Sequence, residues 1–178
     1  DEHGILIWQD FALACGHYPD DDRLCRLIKE EVRQVVIERR QHPALALWAG
    51  DNECDVFVAN DWMHRGTDED APSYLDPNMN RLNRDIIPRE LRNHDATRPY
   101  LPSSPYLDPV AWRYGMPSED HLWGPRDFFK GDFYLAPECH FASEIGYHGC
   151  PNVDSIKKFV GEDKLWPWYG EDGQPNDH

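Results

Sequence analysis

The run Ala44-Leu-Ala-Leu-Trp48, continuing through Ala49-Gly-Asp-Asn-Glu53, constrains the fold of this chain more than any other stretch. Successive apolar residues without alternation mark a strand buried on both faces, as in a parallel sheet covered by helices. The run stops at Gly50 and delivers Asp51, Asn52 and Glu53 together. Acids at the carboxyl end of a buried parallel strand sit where α/β barrels place their chemistry. The same three residues also suit capping, with Asp or Asn as the cap and Glu in the first turn of a following helix.

The stretch His140-Phe-Ala-Ser-Glu-Ile-Gly-Tyr147 repeats the design, with a short apolar strand ending in Glu144 and Gly146 releasing the turn. Between Glu53 and Glu144 there is room for about three strand–helix units. Two carboxylates at the ends of different strands of one barrel can face each other across its mouth. Glycoside hydrolysis needs that pair, one acid to protonate the leaving oxygen and one carboxylate to attack or to activate water.

Three motifs in order carry a resemblance: Gly4-Ile-Leu-Ile-Trp-Gln-Asp-Phe11, Trp48-Ala-Gly-Asp-Asn-Glu53 and Ser143-Glu144-Ile-Gly146. Together they resemble the catalytic barrel of family 2 glycoside hydrolases, most closely its β-mannosidase branch, over nearly the whole chain. The resemblance implies an α/β fold, a partial (β/α)8 TIM barrel holding roughly strands 3 to 7 with their crossover helices. It implies Glu53 as general acid/base and Glu144 as nucleophile, with Trp8, Asp10, Asn52, His121 and Trp123 facing the substrate. Asn52 would hydrogen-bond the sugar 2-hydroxyl, and no metal or other cofactor is implied. Position 51 departs from the family's commoner Gly-Asn-Asn pattern. The extra acid, Asp51, would sit beside Glu53 and bear on its proton or on sugar preference.

Composition limits the partners. The 178 residues carry 18 basic and 33 acidic side chains, a net charge of −15. That balance argues against nucleic acid or an anionic membrane, which call for a basic patch, and no apolar run is long enough to span a bilayer. A carbohydrate partner is compatible with it, and seven Trp offer flat faces for sugar rings. Cys15, Cys25, Cys54, Cys139 and Cys150 are odd in number and lack C-x-x-C spacing, so buried free thiols are expected rather than a disulfide framework or zinc site. A complete eight-stranded barrel takes about 250 residues, and only about five strand candidates are visible. Residues 1–178 therefore read as a part of one catalytic barrel. The remaining strands and any accessory β-domains would belong to the rest of a parent enzyme.

Along the chain, Ile5 to Trp8 reads as a strand leading into Asp10. The acids Asp20-Asp-Asp22 would cap a helix from about Arg23 to Arg40, with Leu24, Leu27, Ile28, Val32, Val35 and Val36 inward. Pro43 ends that helix, which makes His42 structural. Trp62 falls before a polar loop over Arg65 to Asn78, where it would shape the pocket or anchor the loop. A second helix, Asn80 to Arg92, would bury Leu82, Ile86, Ile87 and Leu91, with Pro88 marking a kink or a start.

Arg98 to Pro105 reads as the fifth strand, with Ser103 and Ser104 lining or capping its exit. His121-Leu-Trp-Gly124 reads as the sixth. Many relatives place a Tyr near this strand, bonded to the nucleophile; only Tyr134 offers itself here. Phe128, Phe129, Phe133 and Tyr134 read as packing. A helix start over Pro151 to Val160 would turn Ile156 and Phe159 inward, and Leu165 to Tyr169 would add an aromatic wall.

The function expected is a retaining exo-β-glycosidase, most specifically a β-mannosidase. The alternatives are a β-glucuronidase or β-galactosidase of the same family, or an inactive carbohydrate-binding fragment. A glucuronidase would need cations for the sugar carboxylate, which these motifs lack. Nine His without H-E-x-x-H spacing disfavour a metal hydrolase.

Overall fold

The computed structural model describes residues 1–59, 76–106, 108, 110, 117–124, 131–137, 139–146, 149, 151–161, 164–167 and 169–175. Trp62, Phe128, Phe129, Tyr147, Cys150, Trp168 and nearly all of the expected loop over Arg65 to Asn78 lie outside these residues.

The chain alternates strand and helix: β1 (Ile7–Asp10), α1 (Asp22–Arg39), β2 (Leu45–Ala49), α2 (Cys54–Ala59), a π-helical turn (Leu82–Ile86) running into α3 (Ile87–His94), then β3 (Tyr100–Leu101), β4 (Asp120–Trp123) and β5 (Ala142–Gly146). All strand pairs are parallel. β2 lies between β1 and β3, and β4 pairs with β5. The expected α/β class is met. Its strands are shorter than the sequence suggests, because Ile5 and Leu6 make no ladder and remain exposed, as does Ile7 at the start of β1.

β2 is the centre of the core. Trp48 and Ala49 are fully buried and Leu45 nearly so, in keeping with the unbroken apolar run. The Trp48 ring stacks on Phe11 at 5.3 Å between centroids. Its indole N–H donates to Asp95 Oδ2 at 2.9 Å, so the one polar atom of the ring is satisfied in the core.

Helix α1 begins as its acids require: Asp21 is the N-cap and accepts from the Leu24 amide. Its buried stripe is Cys25, Ile28, Val32 and Val36. Leu27, expected inward, is exposed, because one step of 100° rotates it off the line that Ile28 and Val32 define. In the second helical stretch Leu82, Ile87 and Leu91 are buried as expected. Pro88 falls in the first turn of α3, where its missing N–H costs little. Phe159, also expected inward, is exposed, since the helix there is only the turn Val153–Ile156.

β3 and β4 do not pair through their backbones. Side chains close that gap. Glu119, just before β4, accepts from the Tyr106 amide at 2.7 Å and from the hydroxyls of Ser104 and Ser143. Glu119 is buried, which pushes its carboxyl up, while the three donors aimed at it pull the other way by favouring the ionised form.

Candidate active site

Gly50 lets β2 run straight into the site. A Cβ there would lie 2.1 Å from the Pro102 carbonyl oxygen and 2.5 Å from the Tyr100 hydroxyl, so only glycine fits between β2 and β3. Sheet-like pairing then continues past the strand ends through single bridges of Asn52 to Ala14 and to Ser104. Capping and chemistry divide between neighbours. Asp51 accepts from the Cys54 amide at 3.0 Å and so caps α2. Glu53 is left free to point elsewhere.

Glu53 has φ of 61°, in the left-handed region that a side chain rarely adopts. Its amide donates to the Ser104 carbonyl at 2.8 Å, which holds the turn. Strain of this kind persists where the surroundings over-determine it, commonly at functional positions. Asp51, expected beside the Glu53 carboxyl, turns away into the core. It accepts from Ser103 and Asn83, and burial pushes its pKa up to about 6.

His121 on β4 and Glu144 on β5 are direct register partners. Glu53, His121 and Glu144 each present one atom, and these atoms all lie within 4.8 Å of one another. His121 Nδ1 stands 2.8 Å from Glu53 Oε1 and 3.5 Å from Glu144 Oε2. Its Nε2 stands 3.0 Å from Ser104 Oγ. The imidazole side chain is only 4% exposed, so its contacts are with protein groups below the two carboxylates. Both carboxylates keep open faces, with 27% and 35% of their side chains exposed. Among the described residues this trio also has the spacing of metal ligands, and two carboxylates with an imidazole are donors that zinc accepts.

The other expected residues converge on the same space. Trp123 donates its indole N–H to Glu144 Oε2 at 2.8 Å. An indole thus makes the contact sought from a Tyr. The Tyr134 hydroxyl instead donates to the Gly146 carbonyl and accepts from the Gly124 amide. Asp10 accepts from Trp8 Nε1 at 2.8 Å. Burial pushes the Asp10 carboxyl up; Trp8 pulls the other way, and the charge of Glu144 adds to the rise. Trp8 stacks flat on Phe141 at 5.7 Å, so β1 and the residue just before β5 meet through their rings, with Phe141 still exposed. Asn52 directs Nδ2 toward Cys15 Sγ at 3.7 Å, and its buried Oδ1 has no partner among the described residues.

Three contributors carry no sequence signal of their own. Cys15 is exposed, against the expectation of buried thiols, and its Sγ donates to Glu53 Oε2 at 3.5 Å. Burial and the Glu53 carboxylate push that thiol's pKa up, which keeps the proton on sulfur. Phe141 and Glu119 are ordinary by residue type, and only the fold brings them to the site.

Parallel strands that bring two acids and flanking Trp side chains together define an α/β protein with a two-carboxylate site. Comparison with known proteins sharpens this: the chain is β-mannosidase-like along nearly all of its length. It is 27% identical over 180 residues to mouse β-mannosidase, taking in 94% of this chain and 20% of the mouse protein. It is 31% identical over 182 residues to β-mannosidase A of Aspergillus terreus, or 93% of this chain and 19% of that one. The crystal structure of a β-D-mannosidase from Dictyoglomus thermophilum superposes with a TM-score of 0.65 at 29% identity, covering 89% of this chain and 19% of that chain. No family model matches. The chain spans about one fifth of the length of the curated relatives it matches.

Proposed function

We propose that this chain carries the two catalytic carboxylates of a retaining exo-β-glycosidase, most specifically a β-mannosidase. Its five strands are read as strands 3 to 7 of a (β/α)8 barrel shared with further segments of a longer enzyme. The observation that carries the reading is that oxygens of Glu53, just beyond the end of β2, and of Glu144, within β5, lie within 4.8 Å. That separation favours retention, for which the carboxyl groups stand about 5–5.5 Å apart, over inversion at about 6.5–9.5 Å.

Glu144 attacks the anomeric carbon, and the bond to the leaving oxygen breaks as Glu53 gives that oxygen a proton. The glycosyl ester on Glu144 is then hydrolysed by water that loses a proton to Glu53, and Glu144 departs as carboxylate. Trp123, by donating to Glu144, holds the nucleophile on the anomeric side. Asn52 has a buried acceptor unpartnered among the described residues, a state that costs about 1–3 kcal/mol and that a sugar hydroxyl would relieve. Trp8 and Asp10 supply a ring face and a carboxyl for further hydroxyls.

The test is covalent trapping in the intact enzyme. An activated 2-deoxy-2-fluoro-β-mannoside should leave its sugar esterified to Glu144, found by peptide mass spectrometry, and Glu144→Ala should lose turnover while azide restores an inverted glycosyl product. Hydrolysis with net inversion, or a label on another residue, would sink the assignment. The alternative of a metal at the trio is separated by a chelator, which double displacement requires to leave the rate unchanged.

A further inference from the structure

Buried Glu119 takes no part in the double displacement, yet three contacts link it to Glu53: Glu119 contacts Ser104, Ser104 contacts His121, and His121 contacts Glu53. This line of side chains fills the gap where β3 and β4 fail to pair. We propose that Glu119 is a positioning residue that acts through Ser104 to fix the tautomer of His121, and thereby the proton held between His121 and Glu53. The inference rests on the reading of Glu53 as the acid/base.

Ser104 has one hydroxyl hydrogen and two neighbours, Glu119 Oε2 at 3.3 Å and His121 Nε2 at 3.0 Å. A carboxylate can only accept. If Ser104 gives its hydrogen to Glu119, its oxygen must accept from His121, so Nε2 carries a hydrogen. Nδ1 then faces Glu53 Oε1 at 2.8 Å, a distance that demands a hydrogen between them. That hydrogen is either on Glu53 beside a neutral imidazole or on Nδ1 of an imidazolium beside carboxylate. In both states the pair holds one proton that can reach a leaving oxygen. With Ser104 turned the other way, Nε2 is bare, Nδ1–H donates to an ionised Glu53, and the spare proton is gone. Burial pushes the Glu119 carboxyl up, while its bonds from Ser143 on β5 and the Tyr106 amide and the nearby imidazole pull the other way; as a carboxylate, Glu119 selects the first arrangement.

The experiment is nitrogen-15 NMR of the imidazoles in the 178-residue chain at neutral pH without substrate, with His121 assigned by its disappearance in H121N. Nε2 of His121 should show the shift of a protonated ring nitrogen. It should move to the unprotonated type in Glu119→Gln, whose amide donates to Ser104 and turns that hydroxyl toward His121. Ser104→Ala, which leaves Glu119 its other two partners, should do the same, and Ser104→Thr should keep the wild-type shift. A bare Nε2 in the wild-type chain, which needs no variant to fold, overturns the proposal. So does an Nε2 shift unchanged in both Glu119→Gln and Ser104→Ala. Because no sugar is present, loss of the tautomer effect and loss of glycosidase activity are separate results.

Discussion

At the residue scale, Asp51 and Glu53 show how three adjacent polar residues take different work. Both capping and chemistry were readable in Gly50-Asp-Asn-Glu, since either use suits the same residue types. The choice between them depends on φ at Glu53 and on which partners lie behind Asp51, and these come from the segment just after β3 and from the π-helical turn, distant in sequence. Asp51 has a measurable consequence. Its folded pKa is raised from 3.8 to about 6 by burial, so the folded state binds the proton more tightly than the unfolded chain. The stabilisation from protonated Asp51 is complete below about pH 4 and is lost as pH rises toward about 6, a change on the order of 3 kcal/mol. Asp51→Asn should remove that component. Urea unfolding at pH 4 and pH 7.5 would show a smaller difference between the two pH values in the variant than in the wild type; equal differences would mean that Asp51 is not the group responsible.

At the scale of elements, the strand–helix order and the α1 stripe were legible because each follows from local periodicity. The ends of β1, the two-residue β3 and the π turn were not, because pairing with neighbours sets them. Gly146 illustrates the same limit. In sequence it reads as a turn residue; in the fold a Cβ there would lie 1.8 Å from the Trp123 ring, so the glycine is a seat for the indole that holds Glu144. Gly146→Ala should therefore displace Trp123 and free Glu144, the proposed nucleophile. In the intact enzyme kcat should fall by about tenfold or more, matching roughly one lost hydrogen bond to a charged group, while the Tm changes little. A variant with normal kcat would show that Trp123 does not hold Glu144 during turnover. Trp48→Phe probes the other end of the core: losing the indole donor to Asp95 should cost about 1–3 kcal/mol in urea unfolding, and a neutral result would show that Arg98 and Thr97 satisfy Asp95 unaided.

At the scale of the molecule, the β1 edge and the charge oppose each other. Ile5, Leu6 and Ile7 are 63%, 74% and 44% exposed at the start of β1, a parallel strand that among the described residues pairs on one side only. Such an edge is a template for another strand. Against this stands a net charge of −15 on 178 residues, which makes two copies repel over about 10 Å at 0.1 M salt and over about 3 Å at 1 M. Association of the chain as it stands should therefore increase with ionic strength, the reverse of a contact built on ion pairs. Sedimentation velocity at low and high salt would show it as growth of a faster species, and Leu6→Lys, by placing a charge on the apolar edge, should suppress that growth while leaving the core around Trp48 unchanged. Salt-independent monomers would mean that the exposed Ile5 and Leu6 make no template, whereas association that weakens with salt would shift the contact from the β1 edge to charged side chains.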